Sequence, residues 1–172
     1  MNLGEKDKEY NWHPYTQHKN TFDFPVIIKG KDTLLWDENG KEYIDAIASW
    51  WVNPFGHSNT FIADAIYKQL TTLEHVLFGG FTHQPAIFLS QKILSILPQN
   101  QKKVFYSDNG STAVEVAIKV ALQYFYNQNK PRTKIIAFEN AFHGDTFGAM
   151  AASGISFFTE AFKGSLIEVV RI

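Results

Sequence analysis

Cysteine is absent from the 172-residue chain, which excludes a disulfide framework and a thiolate metal site. No apolar run approaches the ~20 residues that span a bilayer, and the charged start, MNLGEKDKEYNW, lacks the apolar centre of a signal peptide. A net charge of -1 offers no general attraction to nucleic acid or to an anionic membrane. We therefore expect a globular, cytoplasmic protein that binds neither.

Several motifs of catalysis and nucleotide binding are also missing. The sequence contains no Gly-Lys-Ser/Thr, no Gly-x-Gly-x-x-Gly and no Gly-x-Ser-x-Gly. These absences argue against P-loop and Rossmann nucleotide sites and against an α/β-hydrolase. The histidines show no paired ligand spacing, so we predict no metal site; they are His13, His18, His57, His75, His83 and His143.

Aromatic residues, in contrast, are abundant at 15% of the chain. Several stand among polar neighbours, such as Trp12 and Tyr15 in WHPYT and the adjacent pair Trp50 and Trp51. Aromatics in polar surroundings often line concave small-molecule sites, although packing in an apolar core is an equally good interpretation.

The first part of the chain reads as a small antiparallel meander followed by two helices. We expect residues 1–24 to be mostly irregular, and Asn39-Gly40 is a strong hairpin signal between two of the strands. Apolar spacing predicts helices over 60–74, capped by Ser58 or Asn59, and over 84–96. The predicted strands are Val26–Lys29, Thr33–Trp36 and Lys41–Ile44.

Beyond residue 100, strands and helices alternate, which predicts an α/β architecture with parallel strands and helical crossovers. We assign residues 1–55 to an N-terminal segment containing the meander and residues 56–172 to the first part of a large domain. The expected elements are a strand at Lys103–Ser107, a helix at Ser111–Asn127, a strand at Lys134–Glu139, a helix at Asp145–Ala152 and a strand at Leu166–Arg171.

The strand–turn–helix junction in VFYSDNGSTAVEVAIKVAL (104–122) combines the parts of a phosphate socket. Gly110 permits close backbone approach, Ser111 and Thr112 carry hydroxyls, and a helix start offers free amides with about half a positive charge. A purely structural interpretation stays open, in which Asp108-Asn109-Gly110 is a turn and Thr112 forms a capping box with Glu115.

A second loop, ENAFHGDTFGAM (139–150), follows the next predicted strand and is expected at the same sheet edge. Phe142 is placed there to stack on a flat ring held by the socket. The alternative is a plain loop in which Asp145 caps the following helix. Glu115 and Lys119 read only as an i,i+4 pair on the scaffold helix.

Five segments together resemble the class-III pyridoxal-phosphate aminotransferases. They are WHPYTQ, DAIASWWVNPFGHSN, HVLFGGFTHQPAI, DNGSTAVEVAIKVALQYF and AFHGDTFGAM, and they extend from about Trp12 to Gly154. WHPYT, the tryptophan pair and FGGFTH are typical of the branch that acts in biotin biosynthesis. The resemblance implies a PLP-dependent transferase fold of type I, here incomplete, with pyridoxal 5'-phosphate as cofactor and a homodimer as the assembly.

The resemblance also implies roles for particular residues. Gly110, Ser111 and Thr112 would hold the cofactor phosphate, and Phe142 would stack on its ring. The implied reaction transfers an amino group from S-adenosylmethionine to 8-amino-7-oxononanoate and gives 7,8-diaminononanoate. Tyr15, Trp50 and Trp51 would line the substrate site, and Leu77 and Gly79 belong to a loop that would reach the neighbouring subunit's site.

Two departures from the family pattern stand out. The biotin branch carries Tyr where this chain has Phe142, which removes a hydroxyl near the amine donor and leaves the donor open. The family is more than twice as long, so the Schiff-base lysine, the carboxylate for the pyridine nitrogen and the substrate arginine would lie beyond Ile172. We therefore expect the isolated chain to be an inactive fragment, and two alternatives remain: another class-III enzyme acting on an ω-amino acid or diamine, or a non-catalytic fragment.

Overall fold

The computed structural model of the chain describes residues 1–20, 23–154 and 156–172, and it divides into two compact units, Met1–His83 and Gln84–Ile172. Each unit has its own sheet. The predicted division after residue 55 follows the family's domain layout and stays a prediction. No helix in the described ranges is both long and apolar enough to cross a bilayer.

The first unit begins with a helix that the sequence analysis missed. Helix α1 spans Leu3–Tyr10, so the expected irregular stretch at 1–24 is wrong there, and residues 21 and 22 of that stretch lie outside the described ranges. Asn2 and Glu5 form a reciprocal capping box, with both backbone-to-side-chain distances at 2.9 Å. The box satisfies amides that a helix start leaves without partners, which explains why so polar a segment is helical. A 3₁₀ turn follows at His18–Asn20.

The predicted meander is confirmed as an antiparallel sheet in the order β1-β2-β3. Lys31 pairs with Leu34 across the first turn, and Leu35 pairs with Tyr43 across the second pair of strands. The strands are β1 (Ile27–Lys31), β2 (Leu34–Asp37) and β3 (Glu42–Ile44).

A buried carboxylate organises the second turn of this sheet. Asp37 is only 5% exposed, and its Oδ1 accepts hydrogen bonds from the amides of Asn39 and Lys41 at 2.9 Å each. Its Oδ2 accepts one from the Tyr43 hydroxyl, also at 2.9 Å. Burial by itself raises the pKa of Asp37, but these hydrogen bonds outweigh it and bring the pKa below 3.8.

A single left-handed helical turn follows the sheet. This element, α2, spans Ala48–Trp51, and its four φ angles are 49°, 46°, 64° and 72°. The amide of Trp51 still bonds to the Ile47 carbonyl at 2.9 Å. Each L-residue in this conformation costs about 1–2 kcal/mol, so four in succession require support from surrounding contacts. Helix α3 (Thr60–Thr72) comes next, capped by Asn59 as predicted.

The second unit contains most of the helical structure. Two parallel strands, β4 (Ile135–Ala137) and β5 (Val169–Arg171), confirm the predicted parallel arrangement. The short Glu160–Ser165 segment is a 3₁₀ helix. The α-helices are α4 (Gln84–Ile96), α5 (Gly110–Asn127), α6 (Phe147–Ala152) and α7 (Ser156–Thr159).

One predicted strand of this unit is wrong. Residues 103–107 form neither helix nor strand, because no described segment pairs with their backbone. Their attachment is through a side chain, since the Tyr106 hydroxyl donates to the Ala86 carbonyl at 2.8 Å. Helix α6 supplies the core instead: Ala149, Met150, Ala151 and Ala152 are all buried.

Candidate functional site

The turn before α5 is built by a capping box. Asn109 is the N-cap: its Oδ1 accepts from the Thr112 amide at 3.0 Å, and its own amide donates to Thr112 Oγ1 at 3.2 Å. The alternative interpretation, in which Thr112 forms a capping box with Glu115, is therefore wrong in this detail, because the helix starts at Gly110. Thr112 Oγ1 also donates to the Asn109 carbonyl, so both of its donors are used inside the turn.

Two backbone amides at this turn are available to a ligand. Gly110 and Ser111 are the first two residues of the 18-residue helix α5, and no described residue accepts a hydrogen bond from either amide. Gly110 is exposed, and a Cβ built on it meets no atom within 4 Å. Open space, two amides and the positive end of a helix dipole together favour a bound anion.

The loop that carries Phe142 packs directly on this turn. Gly144 has a φ of +127°, and a Cβ at that position would lie 2.4 Å from Ser111 Cβ, so the contact requires glycine. The amide of Thr146 donates to Ser111 Oγ at 2.9 Å, and the two hydroxyls are 2.8 Å apart. The predicted proximity of the two loops is thus confirmed.

Glu115, in α5, links that helix to the start of α6. Its Oε1 accepts from the amides of Gly148 and Ala149 at 2.6 and 3.1 Å. A hydrogen bond from the Thr146 hydroxyl, together with those two amides, holds the pKa of Glu115 below 4.5 despite its partial burial. The Ser111 and Thr146 hydroxyls lie within hydrogen-bond distance of each other, and either can be the donor.

Phe142 is exposed on this loop. Its side chain is 54% accessible, and its ring meets that of Phe158 edge-on, with centroids 6.3 Å apart. About half of the Phe142 side chain is therefore accessible. The sequence interpretation in which Asp145 caps α6 is wrong, because Thr146 is the N-cap residue.

The predicted substrate residues belong to the first unit. The Tyr15 and Trp50 rings lie 5.4 Å apart at an interplanar angle of 37°. Trp51 is 79% exposed and follows Trp50 on the left-handed turn α2. Leu77 and Gly79 share one loop, in which the Phe81 amide donates to the Leu77 carbonyl at 3.2 Å.

Several residues of these sites were not singled out by the sequence. Thr146, Gly144 and Glu115 connect the two loops, but Glu115 reads as an ordinary scaffold residue in a helical pattern. Asp45 and His57 flank the left-handed turn, with Asp45 Oδ2 and His57 Nε2 2.7 Å apart. The sequence predicted only that the two loops would lie at one sheet edge, because each was expected to follow a strand.

Comparison with known proteins identifies the family to which this chain is related. The family model for aminotransferase class-III matches residues 15–172. The adenosylmethionine-8-amino-7-oxononanoate aminotransferases of Synechococcus elongatus and Staphylococcus aureus are 49% and 41% identical over 92% and 99% of this chain. The chain spans only 37% and 39% of their respective lengths.

Solved structures agree with the sequence relatives. The crystal structure of the same-named aminotransferase from Methanocaldococcus jannaschii superposes with a TM-score of 0.93 at 41% identity, covering 98% of this chain and 39% of that one. An omega transaminase from Pseudomonas jessenii in complex with PMP gives a TM-score of 0.92 at 30% identity, covering 100% and 39%. The chain described here belongs to the class-III aminotransferase family, whose members depend on pyridoxal phosphate.

Proposed function

We propose that this chain supplies the phosphate- and ring-binding part of the pyridoxal-phosphate site in an aminotransferase of biotin biosynthesis. The enzyme would move an amino group from S-adenosylmethionine to 8-amino-7-oxononanoate. The observation that carries the proposal is the amide-lined start of α5 with the Phe142 loop packed against it. The names of the relatives support the choice of substrates.

The residues present fit the cofactor's phosphate and ring. The amides of Gly110 and Ser111 would donate to the phosphate, while Thr112 fixes the turn through its bonds to Asn109. Phe142 would cover one face of the pyridine ring. Bound pyridoxal phosphate carries the amino group between the two substrates and withdraws electrons from the reacting carbon.

The aromatics of the first unit would bind the substrates. Tyr15, Trp50 and Trp51 offer flat apolar surface with polar edges, which suits the hydrocarbon chain of 8-amino-7-oxononanoate. Leu77 and Gly79 would act in the partner's site of a homodimer. The homodimer and the cytoplasmic location stay predictions.

The phosphate assignment is tested by Gly110→Ala in the protein expressed from its complete native gene. Because a Cβ at Gly110 meets no protein atom within 4 Å, we expect unchanged thermal stability without cofactor but weaker cofactor binding. Gly164→Ala is the matched control, since its Cβ also meets no atom within 4 Å and it lies in a 3₁₀ helix away from the turn. Equal cofactor affinity in both variants would contradict the assignment.

Another class-III activity, on an ω-amino acid or a diamine, is a second candidate. Phe142 lacks the hydroxyl of the biotin branch, and omega transaminases superpose closely on this chain. A panel of amine donors and acceptors separates the two. Amination of 8-amino-7-oxononanoate supports the first candidate, and activity on other acceptors but not on this one supports the second. Phe142→Tyr is expected to alter the KM of the donor while leaving cofactor affinity unchanged.

The 172 residues by themselves are expected to be inactive. None of their lysines, such as Lys103, Lys119 and Lys134, stands in the family's lysine motif. Assaying the 172-residue chain beside the product of the complete gene tests this expectation. Enzyme-like turnover by the shorter chain would refute it.

A further inference from the structure

A carboxylate, a serine and a histidine meet beside the left-handed turn α2. Asp45 Oδ1 accepts from the Ser49 amide at 2.9 Å, and Oδ2 accepts from the Ser49 hydroxyl at 2.7 Å. His57 Nε2 lies 2.7 Å from the same Oδ2. The side chains of Asp45 and His57 are only 6% and 15% exposed, so solvent screens this contact weakly.

The arrangement is unsuited to nucleophilic catalysis. In a hydrolase triad the histidine accepts the serine proton and the carboxylate holds the histidine from behind. Here the Ser49 proton goes to Asp45, while His57 Nε2 faces Asp45 and lies 3.5 Å from Ser49 Oγ. His57 is therefore not placed to take the Ser49 proton as a triad histidine would, and the cluster has a structural role.

The cluster is anchored to the sheet on both sides. The Asp45 amide donates to the Thr33 carbonyl at 2.8 Å. His57 exchanges two backbone hydrogen bonds with Asp32, at 2.8 and 3.0 Å. The Ser58 hydroxyl donates to the Gly30 carbonyl at 2.7 Å. Asp45 and His57 therefore form a fixed support, and Ser49 is the residue of α2 that is attached to it.

Ser49 lies in the middle of an unfavourable conformation. Its φ and ψ are 46° and 52°, which L-residues rarely adopt without support. The next residue, Trp50, has the same conformation and brings its ring within 5.4 Å of Tyr15. If Ser49 relaxed to an ordinary conformation, the direction of the Trp50 side chain would change.

We propose that Asp45 and His57 are positioning residues for the substrate aromatics: they hold Ser49 in a left-handed turn and thereby fix Trp50 against Tyr15. The inference rests on the proposed function in so far as Tyr15 and Trp50 bind substrate. The bracket itself, defined as Asp45, Ser49 and His57, is a property of the first unit alone.

The test uses the cofactor-loaded protein from the complete gene. Asp45→Asn removes the charge and weakens the bracket, so we expect the KM of the amino acceptor to rise about tenfold, with the cofactor absorbance unchanged. The near-ultraviolet circular dichroism of the Trp50–Tyr15 pair, identified with Trp50→Phe, should weaken in parallel.

A backbone rescue separates positioning from direct substrate contact. Ala48 has a φ of 49°, which glycine adopts without penalty, so adding Ala48→Gly to Asp45→Asn should restore most of the KM and the dichroism. The matched control adds Ala65→Gly, in the right-handed helix α3, and should restore neither. Failure of Ala48→Gly to restore either signal would overturn the proposal, as would an unchanged KM and dichroism in Asp45→Asn.

The remaining outcomes are also decisive. If Asp45→Asn fails to fold, Ser49→Ala removes only the hydroxyl bond, and a smaller shift in the same direction supports the bracket while no shift overturns it. If the unmodified protein transfers no amino group, the proposed function fails. The dichroism then tests the bracket alone, by its loss in Asp45→Asn and its return with Ala48→Gly.

Discussion

Residues 1–83 and residues 84–172 are stabilised by different interactions. In the second unit the buried residues are mostly apolar, and four of them lie in helix α6. In the described part of the first unit the only residue that is buried as a whole is Asp37, a charged one. Close packing around α6 therefore organises one unit, and hydrogen bonds to the carboxylates of Asp37 and Asp45 organise the other.

The ends of α6 show how charge assists packing in the second unit. Glu115 accepts from amides at the start of the helix, and Arg171 donates to the carbonyls of Ala151, Ala152 and Ser153 at its end. An anion at the N-terminus and a cation at the C-terminus both complement the helix dipole. The Glu115 contact holds α6 next to α5, and the Thr146–Ser111 contact holds the Phe142 loop there, so the candidate cofactor site depends on the core. We propose that the candidate substrate aromatics depend instead on the bracket formed by Asp45, Ser49 and His57.

Gly144→Ala should have the largest effect, because it breaks the close contact in the second unit. The new Cβ would overlap Ser111, and the alanine would have to adopt a φ of +127°. The overlap and the backbone strain together cost about 2–5 kcal/mol. We expect a lower melting temperature and a loss of cofactor affinity. Gly164→Ala is the control, and its melting temperature should equal that of the unmodified protein. Equal melting temperatures of the two variants would show that the loop is not packed on α5.

Glu115→Ala comes next. It leaves the amides of Gly148 and Ala149 without their acceptor, at a cost of about 1–3 kcal/mol in the free energy of unfolding. Glu115→Gln keeps an acceptor and should lose less. Denaturant unfolding measures both. An alanine variant as stable as the unmodified protein would remove Glu115 from the α6 support.

The Glu115 contribution should also depend on pH. Because its pKa is lowered in the folded state, the stabilisation is fully present above about pH 4.5, its ordinary value, and is lost as pH falls through the folded pKa. The difference in unfolding free energy between the unmodified protein and Glu115→Gln should therefore be constant at neutral pH and shrink below pH 4.5. A difference that grows in acid would contradict this sign.

Arg171→Lys is expected to have an intermediate effect. Lysine cannot reproduce the planar fork that reaches three carbonyls, so the free energy of unfolding should fall by about 1 kcal/mol. Lys163→Arg is a control for the exchange of cations, because Lys163 lies in the exposed part of the 3₁₀ helix. Similar changes in both variants would mean that the fork geometry is unimportant.

Tyr43→Phe should have the smallest effect and sharpens the contrast in the first unit. It removes one of the three hydrogen bonds to Asp37 and leaves the turn amides in place. The same bond raises the pKa of Tyr43, which shows that it favours the protonated phenol. We expect the melting temperature to fall by about 2–4 °C. A fall as large as that of Gly144→Ala would reverse the comparison.

Much of the fold was predictable because its signals are local. The hairpin at Asn39-Gly40, the Asn59 cap and the helix following Gly110 each depend on neighbours in sequence. The interpretation failed where local signals competed or partners were distant. A polar capping box made Leu3–Tyr10 helical, and residues 103–107 have strand-forming side chains but no backbone partner within the described part of the chain.

The candidate site divides in the same way. Gly110, Ser111 and Phe142 could be named from their motifs, and their roles remain proposals. The roles of Thr146, Gly144 and Glu115 could not be predicted, because a bond between residues 33 or 35 positions apart depends on how the helices pack.

The sequence by itself determined the antiparallel meander, the long helix with its glycine-containing start and membership of the class-III aminotransferase family. Those properties follow from turn chemistry, apolar spacing and motifs within short segments. The tertiary structure alone decided that Glu115 and Arg171 hold the two ends of α6, that Ser111 meets Thr146, and that Ala48–Trp51 turn left-handed beside Asp45. Each of these depends on groups distant in sequence, whose hydrogen bonds offset local conformational preferences only once the chain is folded.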